Sequence, residues 1–413
     1  MKKYASEGED MYLNRDVITL AQAKERLAAV APKKITQEKQ VEETLGYILA
    51  QDIIAPFPQP AFRRSGYDGY GILAEDDRDY PITLTLAAEV PAGSELKKKL
   101  QPKETIRIMT GAKVPDEVAK VIMLENTHML ADGKVVIKAG SRNDNITPIG
   151  EEFEKGTVLL TKGTLINAGA ISLMSAFGFA TCLVYKRPKV AILATGTELL
   201  QPKDAPVAGK IYNSNGPLLE ALVKENGGKV VYCGQIADDI KSLEEKLDDL
   251  AKKADLILTT GGVSVGDFDF LAVAAKESGQ LLFNKLAMRP GSPTTAFVYE
   301  KTLVMALSGN PGACFTGFYL LFESLLQNMQ GNSTEIKITK MKLAHDYQKP
   351  NSFDRYLRGT WEETATGKVV SLVGSDQSSA LGNLHLTTCF FKIPHDTVVT
   401  AGTEVEVWCL PYK

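Results

Sequence analysis

Residues 259–270 read Thr-Thr-Gly-Gly-Val-Ser-Val-Gly-Asp-Phe-Asp-Phe, the residue types of a turn that handles phosphate. Gly261, Gly262 and Ser264 are small enough to let backbone N–H groups face an anion, and Asp267 and Asp269 follow closely. Carboxylates beside phosphate donors supply what a divalent cation or a proton transfer on a phosphate ester needs. A βα turn that requires small residues for its geometry, with solvated aspartates at a helix start, accounts for the same pattern. The apolar run 256–258 ahead of the turn has the character of a buried parallel strand, and 270–276 is compatible with a helix.

The surrounding chain repeats that plan. Between residues 188 and 330, apolar runs at 189–194, 229–232, 256–258 and 303–307 alternate with helix-patterned segments. Ser214 and Pro217 open one such segment, Ser242 and Glu245 have the spacing to cap the next, and a long helix is expected from 312 to about 329. Alternation of this kind predicts a doubly wound, mostly parallel sheet, whose ligands sit beyond the carboxyl ends of its strands. Glu198, Asp238, the turn at 261–269 and the turn at 308–312 all fall at those ends.

The flanking segments have other textures. Thr19 and Gln22 have capping-box form ahead of a helix, and a second helix is expected over 41–49. Prolines at 56, 58 and 60 then mark a boundary. Short alternating runs separated by Gly, Pro and Asp-Gly turns predict a small β domain from about 62 to 137, with helix again over 165–177. Five β-like runs after residue 334 predict a sandwich or small barrel. The expected division is a helical linker domain (17–60 and 141–186), an inserted β domain (61–140), an α/β domain (187–331) and a C-terminal β domain (332–413).

A net charge of −3 gives no support for bulk nucleic-acid binding, so an anionic ligand needs a local site. Five scattered cysteines without a C-x-x-C pair point to reduced thiols and a cytoplasmic protein, and four isolated histidines argue against a His/Cys zinc site. The N-terminus has no apolar signal-peptide core, and the most apolar stretch, 304–326, is interrupted by Asn310-Pro311 and Glu323, so neither a signal peptide nor a membrane span is expected.

The ordered series Ser65-Gly-Tyr-Asp-Gly-Tyr70, Ile108-Met-Thr-Gly-Ala112, Ala194-Thr-Gly-Thr-Glu198, Thr260-Gly-Gly-Val-Ser-Val-Gly266, Pro290-Gly-Ser-Pro293 and Gly309-Asn-Pro311 resembles the molybdopterin molybdenumtransferase family, bacterial MoeA and the E domain of gephyrin. The resemblance implies four domains, ending in a β-barrel, and a homodimer. It implies an enzyme of molybdenum cofactor biosynthesis that takes adenylylated molybdopterin, releases AMP with help from Mg2+, and transfers molybdate to the dithiolene. By motif position, Asp68, Thr110, Glu198, Asp238 and Asp269 are the expected catalytic residues. Glu198, Asp267 and Asp269 are the expected metal ligands. Gly261, Gly262, Ser264, Asp267, Lys285, Arg289, Gly309, Asn310, Gly312, Arg358 and Ser379 are the expected substrate-binding residues. Taken singly, each also has a plainer reading as a turn residue, a helix cap or a surface charge.

Four departures from the family pattern concern the oxyanion. Arg289-Pro-Gly-Ser-Pro293 stands where Lys-Pro-Gly-Lys-Pro is usual, so Ser292 removes a cation. Ala313 lacks the usual hydroxyl, Ser65-Gly-Tyr-Asp-Gly69 replaces Ser-Ala-Met-Asp-Gly, and Thr147-Pro148 replace a pair of arginines. One charge-assisted donor is worth on the order of 1.5–3 kcal/mol. The rivals are therefore a paralog that binds molybdopterin or a partner without inserting metal, and a pyrophosphatase or insertase of altered oxyanion specificity.

Overall fold

A computed structural model describes residues 16–237, 240–262, 279–332, 336–365 and 367–410. The chain forms two compact units. The first comprises 1–50, 163–167 and 181–413; the second comprises 51–162 and 168–180.

The first unit is built on a six-stranded sheet in the order Lys229–Ile236, Lys189–Thr195, Leu256–Thr260, Thr302–Leu307, Thr295–Tyr299, Gly279–Phe283. The first four strands are parallel, and Thr295–Tyr299 runs antiparallel to both of its neighbours, Thr302–Leu307 and Gly279–Phe283. All five residues of Leu256–Thr260 are buried, as a continuous apolar run between two neighbours requires. Alternate residues feed two cores. Val190, Ile192, Leu256, Leu258, Leu303 and Met305 pack with Leu219, Leu222 and Val223 of the helix Asn215–Glu225 and with the helical run 311–329. Ala191, Leu193, Ile257, Val304 and Ala306 pack with Leu243, Leu247 and Leu250 of the helix Ile240–Ala251. Helices on both faces make the sheet doubly wound.

Strands Lys337–Leu343, Asp354–Thr364, Gly367–Leu372, Cys389–Ile393 and Glu404–Cys409 close on one another as a five-stranded barrel. Phe390 of the barrel stacks with Phe315 and Tyr319 at 5.8 and 5.9 Å, so barrel and sheet share one core. A short parallel pairing, Met288 with Asp354 and Arg289 with Arg355, joins them at the edge.

In the second unit, a six-stranded sheet has the order Val118–Met123, Gly69–Leu73, Glu104–Ile108, Ile82–Val90, Lys134–Ile137, Thr127–Met129, with an apolar cluster on each face. Phe177, after the helix Ala168–Ala176, stacks on Phe57 at 5.4 Å and Phe153 at 5.8 Å.

The Thr19/Gln22 capping box is present, with the helix Leu20–Val30 behind it. The helix expected over 41–49 is not: Val41–Glu43 is a single 3-10 turn, Leu45 is exposed, and Ile48 and Leu49 make bridges to Leu165 and Val184. Pairing of Thr36–Gln40 with Thr181–Tyr185 draws this segment into extended structure, and that tertiary pairing overrides its helical spacing. Ser242 lies inside its helix rather than at the cap. The run 311–329 is not one regular helix, because Phe318–Phe322 is a π-turn between Pro311–Gly317 and Glu323–Met329. Among the described residues, no helix is long and apolar enough to cross a membrane.

Candidate active site

Three strand ends of the first unit meet at one mouth of the sheet. Gly196 follows the strand Lys189–Thr195 with φ +155°, and Glu198 folds its carboxylate back over it. An added Cβ at Gly196 would lie 2.7 Å from Glu198 Oε2. Gly261 follows the strand Leu256–Thr260 with φ +91°, and a Cβ there would lie 2.3 Å from the Thr195 carbonyl oxygen. Only glycine fits so close a crossing of two backbones. The third strand end brings Gly309 beside Gly261, with 3.5 Å between a Cβ added at Gly309 and Gly261 Cα. Buried Asn215 ties the ends together, donating through Nδ2 to Thr260 Oγ1 and to the Gly309 carbonyl, both at 2.8 Å. Glu198 is exposed on this rim and free to reach a ligand.

The rim continues into a cleft of about 590 Å³ between the sheet and the barrel. Arg289, Ser308, Asn310 and Ser379 line it together with Lys349, Arg355, Asp376 and Ser378. Asn310 donates through Nδ2 to Ser378 Oγ at 3.3 Å, and the Ala313 N–H donates to the Ser378 carbonyl at 3.2 Å. Arg358 lies beneath this loop, 2% exposed. Its Nη2 donates to the carbonyls of Ser375 and Gln377 at 3.0 and 2.8 Å, and its Nε donates to Asn383 Oδ1 at 3.3 Å. Burial lowers its pKa. The guanidinium is thus largely spent on holding the loop that presents Ser378 and Ser379. Gly312 packs against it: a Cβ there would lie 2.6 Å from Arg358 Nη1.

The departures at 292 and 313 take a definite form here. Ser292 donates its hydroxyl to the Leu286 carbonyl at 2.8 Å, closing its own loop. Ala313 lines the cleft without a hydroxyl, but Ser378 lines the cleft as well. Lys285 is half-buried and is not among the residues lining the cleft.

Asp68 and Thr110 belong to the second unit and grip each other. The Thr110 N–H and hydroxyl both donate to Asp68 Oδ1, at 2.6 and 2.8 Å. The backbone bond first, and then the hydroxyl, hold the carboxyl below its usual range. Gly69 has no room for a side chain, since a Cβ would lie 2.1 Å from the Ile122 carbonyl oxygen. Arg64 faces Thr147 across a short antiparallel pair, which leaves one cation opposite the position that lacks an arginine.

Asp238, Ser264, Asp267 and Asp269 lie outside the described residues. No group of three His, Cys, Asp or Glu that could hold a metal occurs among the described residues. Sequence reasoning missed Lys349, Arg355, Asp376 and Ser378. Their only signal was charge and hydroxyl content in a barrel segment without a recognisable motif.

The comparisons with known proteins agree along the whole chain. Residues 18–178 match the family described as MoeA N-terminal region (domain I and II), 191–328 match a probable molybdopterin binding domain, and 340–410 match MoeA C-terminal region (domain IV). The chain is 38% identical over 408 residues to a molybdopterin molybdenumtransferase of Bacillus subtilis, covering 96% of this chain and 95% of the relative. It is 39% identical over 361 residues to one of Staphylococcus aureus, covering 86% of each. A crystal structure of a molybdopterin biosynthesis MoeA protein from Pyrococcus horikosii superposes with a TM-score of 0.83 at 29% identity, over 95% of this chain and 99% of that one. The doubly wound sheet, the closed barrel and this match over nearly the full length lead to one conclusion: the chain belongs to the molybdopterin molybdenumtransferase family, the transferases of molybdenum cofactor biosynthesis.

Proposed function

We propose that the rim and the cleft divide one reaction between them: adenylylated molybdopterin lies at the mouth of the sheet, molybdate in the cleft, and transfer of molybdenum to the dithiolene accompanies release of AMP. The supporting observation is their continuity. Gly261 touches the Thr195 strand end on one side and Gly309 on the other, and Ser308 and Asn310 pass directly into the lining of the cleft. The glycine turns let a pyrophosphate approach the backbone closely, while Arg289, Ser379 and the barrel cations receive the oxyanion.

Mg2+ fits what the rim offers, because Glu198 provides an exposed hard oxygen ligand. Asp267 and Asp269 would complete the set, with Asp238 steering it. When bound, the cation offsets charge on the leaving phosphate. Asp68 and Thr110 are assigned to the same reaction on the family resemblance alone, as is the homodimer, and the cytoplasmic location rests on the scattered cysteines.

Turnover of adenylylated molybdopterin with Mg2+ and molybdate tests the proposal. AMP release with metal-loaded cofactor is expected. AMP release without metal loading would instead mark a pyrophosphatase of altered specificity, and binding without AMP release would mark a paralog that has lost insertion.

A further inference from the structure

The cleft lacks a lysine at position 292, yet it is rich in positive charge. Arg289 and Arg355 are register partners on adjacent parallel strands, and both line the cleft with Lys349. Like charges side by side repel unless an anion joins them. One carboxylate does so for the two barrel cations. Asp376 accepts from Lys349 Nζ at 3.0 and 3.1 Å, from Arg355 Nη1 at 3.4 Å and from the Tyr347 hydroxyl at 2.7 Å. Its side chain is 9% exposed. Burial works against its ionised form, but the hydrogen bonds from Tyr347 and Lys349 outweigh burial and hold its carboxyl below the usual range. Asp376 is therefore an anion at neutral pH, seated where a dianionic substrate would need these cations.

The cations are not locked to it. The Lys349 side chain is 65% exposed and can swing on its flexible stem. Arg355 keeps donor capacity that Asp376 does not use: its Nε is shielded from solvent and has no acceptor among the described residues.

We propose that Asp376 is a resident anion standing in for the tetrahedral oxyanion. It holds Lys349 and Arg355 in place while the cleft is empty and competes with the incoming oxyanion for them, so that the barrel supplies the positive charge that Ser292 does not. The proposal rests on the reading of the cleft as the oxyanion subsite.

Calorimetric titration of the intact chain with molybdate, at fixed ionic strength, tests it with four variants. Asp376→Asn keeps the shape and the Tyr347 hydrogen bond but removes the competing charge, and binding tightens about tenfold. Lys349→Gln and Arg355→Gln each weaken binding about tenfold. Arg289→Gln weakens it as well. Unchanged or weaker binding by Asp376→Asn, with Arg289→Gln still harmful, overturns the stand-in and leaves the cleft reading intact. No change in any variant, Arg289→Gln included, removes the cleft as the oxyanion subsite, and both ideas fall. Should Asp376→Asn fold poorly, Lys349→Gln at the surface decides alone: wild-type affinity in that variant overturns the proposal.

Discussion

Glu198→Gln removes a charge from the rim with almost no change in volume. The side chain is exposed, so the thermal midpoint should stay at the wild-type value while AMP release falls about 10²-fold. Wild-type turnover in that variant would remove Glu198 from the reaction. A second residue-level test concerns pH. Asp77 in the second unit is held below its usual range by hydrogen bonds from Lys120 and then Tyr80. A carboxyl with a lowered folded pKa stabilises the native state above its unfolded pKa and loses that contribution as pH falls through the folded value. Asp77→Asn should therefore unfold at lower urea than wild type at pH 7, with the gap closing as pH falls below the usual carboxylate range. A gap that stays constant with pH would mean that packing, not charge, carries the effect.

At the scale of elements, the crossing of Gly261 with the Thr195 carbonyl and the clasp of Arg358 on its loop are the two joints that shape the site. Gly261→Ala places a Cβ where 2.3 Å separates it from that carbonyl oxygen, at a φ of +91° that disfavours any side chain. It should cost on the order of 2 kcal/mol or more in stability, and AMP release should fall with the displaced rim. Arg358→Met leaves the Ser375 and Gln377 carbonyls without their donor and should cost about 3 kcal/mol by urea denaturation, with weaker molybdate binding as the loop loosens. Unchanged molybdate binding in Arg358→Met would separate the loop from the subsite. The parallel strands were legible because apolar runs such as 256–258 carry local signal, as were the five barrel strands and the Thr19 capping box. The segment 41–49 has helical spacing, while the partners of its Ile48 and Leu49, Leu165 and Val184, lie far along the chain. Motif position alone makes Arg358 an expected substrate-binding residue, and nothing local to its strand announces that the 375–377 carbonyls would surround it.

Across the first unit, the cleft exists because a barrel and a sheet share a core, and no single stretch of sequence contains it. Arg289 meets Arg355 only through the edge pairing of Met288–Arg289 with the barrel strand Asp354–Thr364, so a cation count along one motif underestimates the charge of the assembled site. That is why the loss at Ser292 looked uncompensated from sequence, while the folded chain surrounds the same space with Arg289, Lys349 and Arg355. Molybdenum is heavy enough to be located by anomalous scattering at its absorption edge, and crystals of the intact chain grown with molybdate offer the most direct test of where the oxyanion binds. One peak inside the cleft, within hydrogen-bonding reach of Arg289 and Ser379, is the expected result. A bound molybdate on any other face, with the cleft left without a peak, would contradict the division of the reaction between rim and cleft.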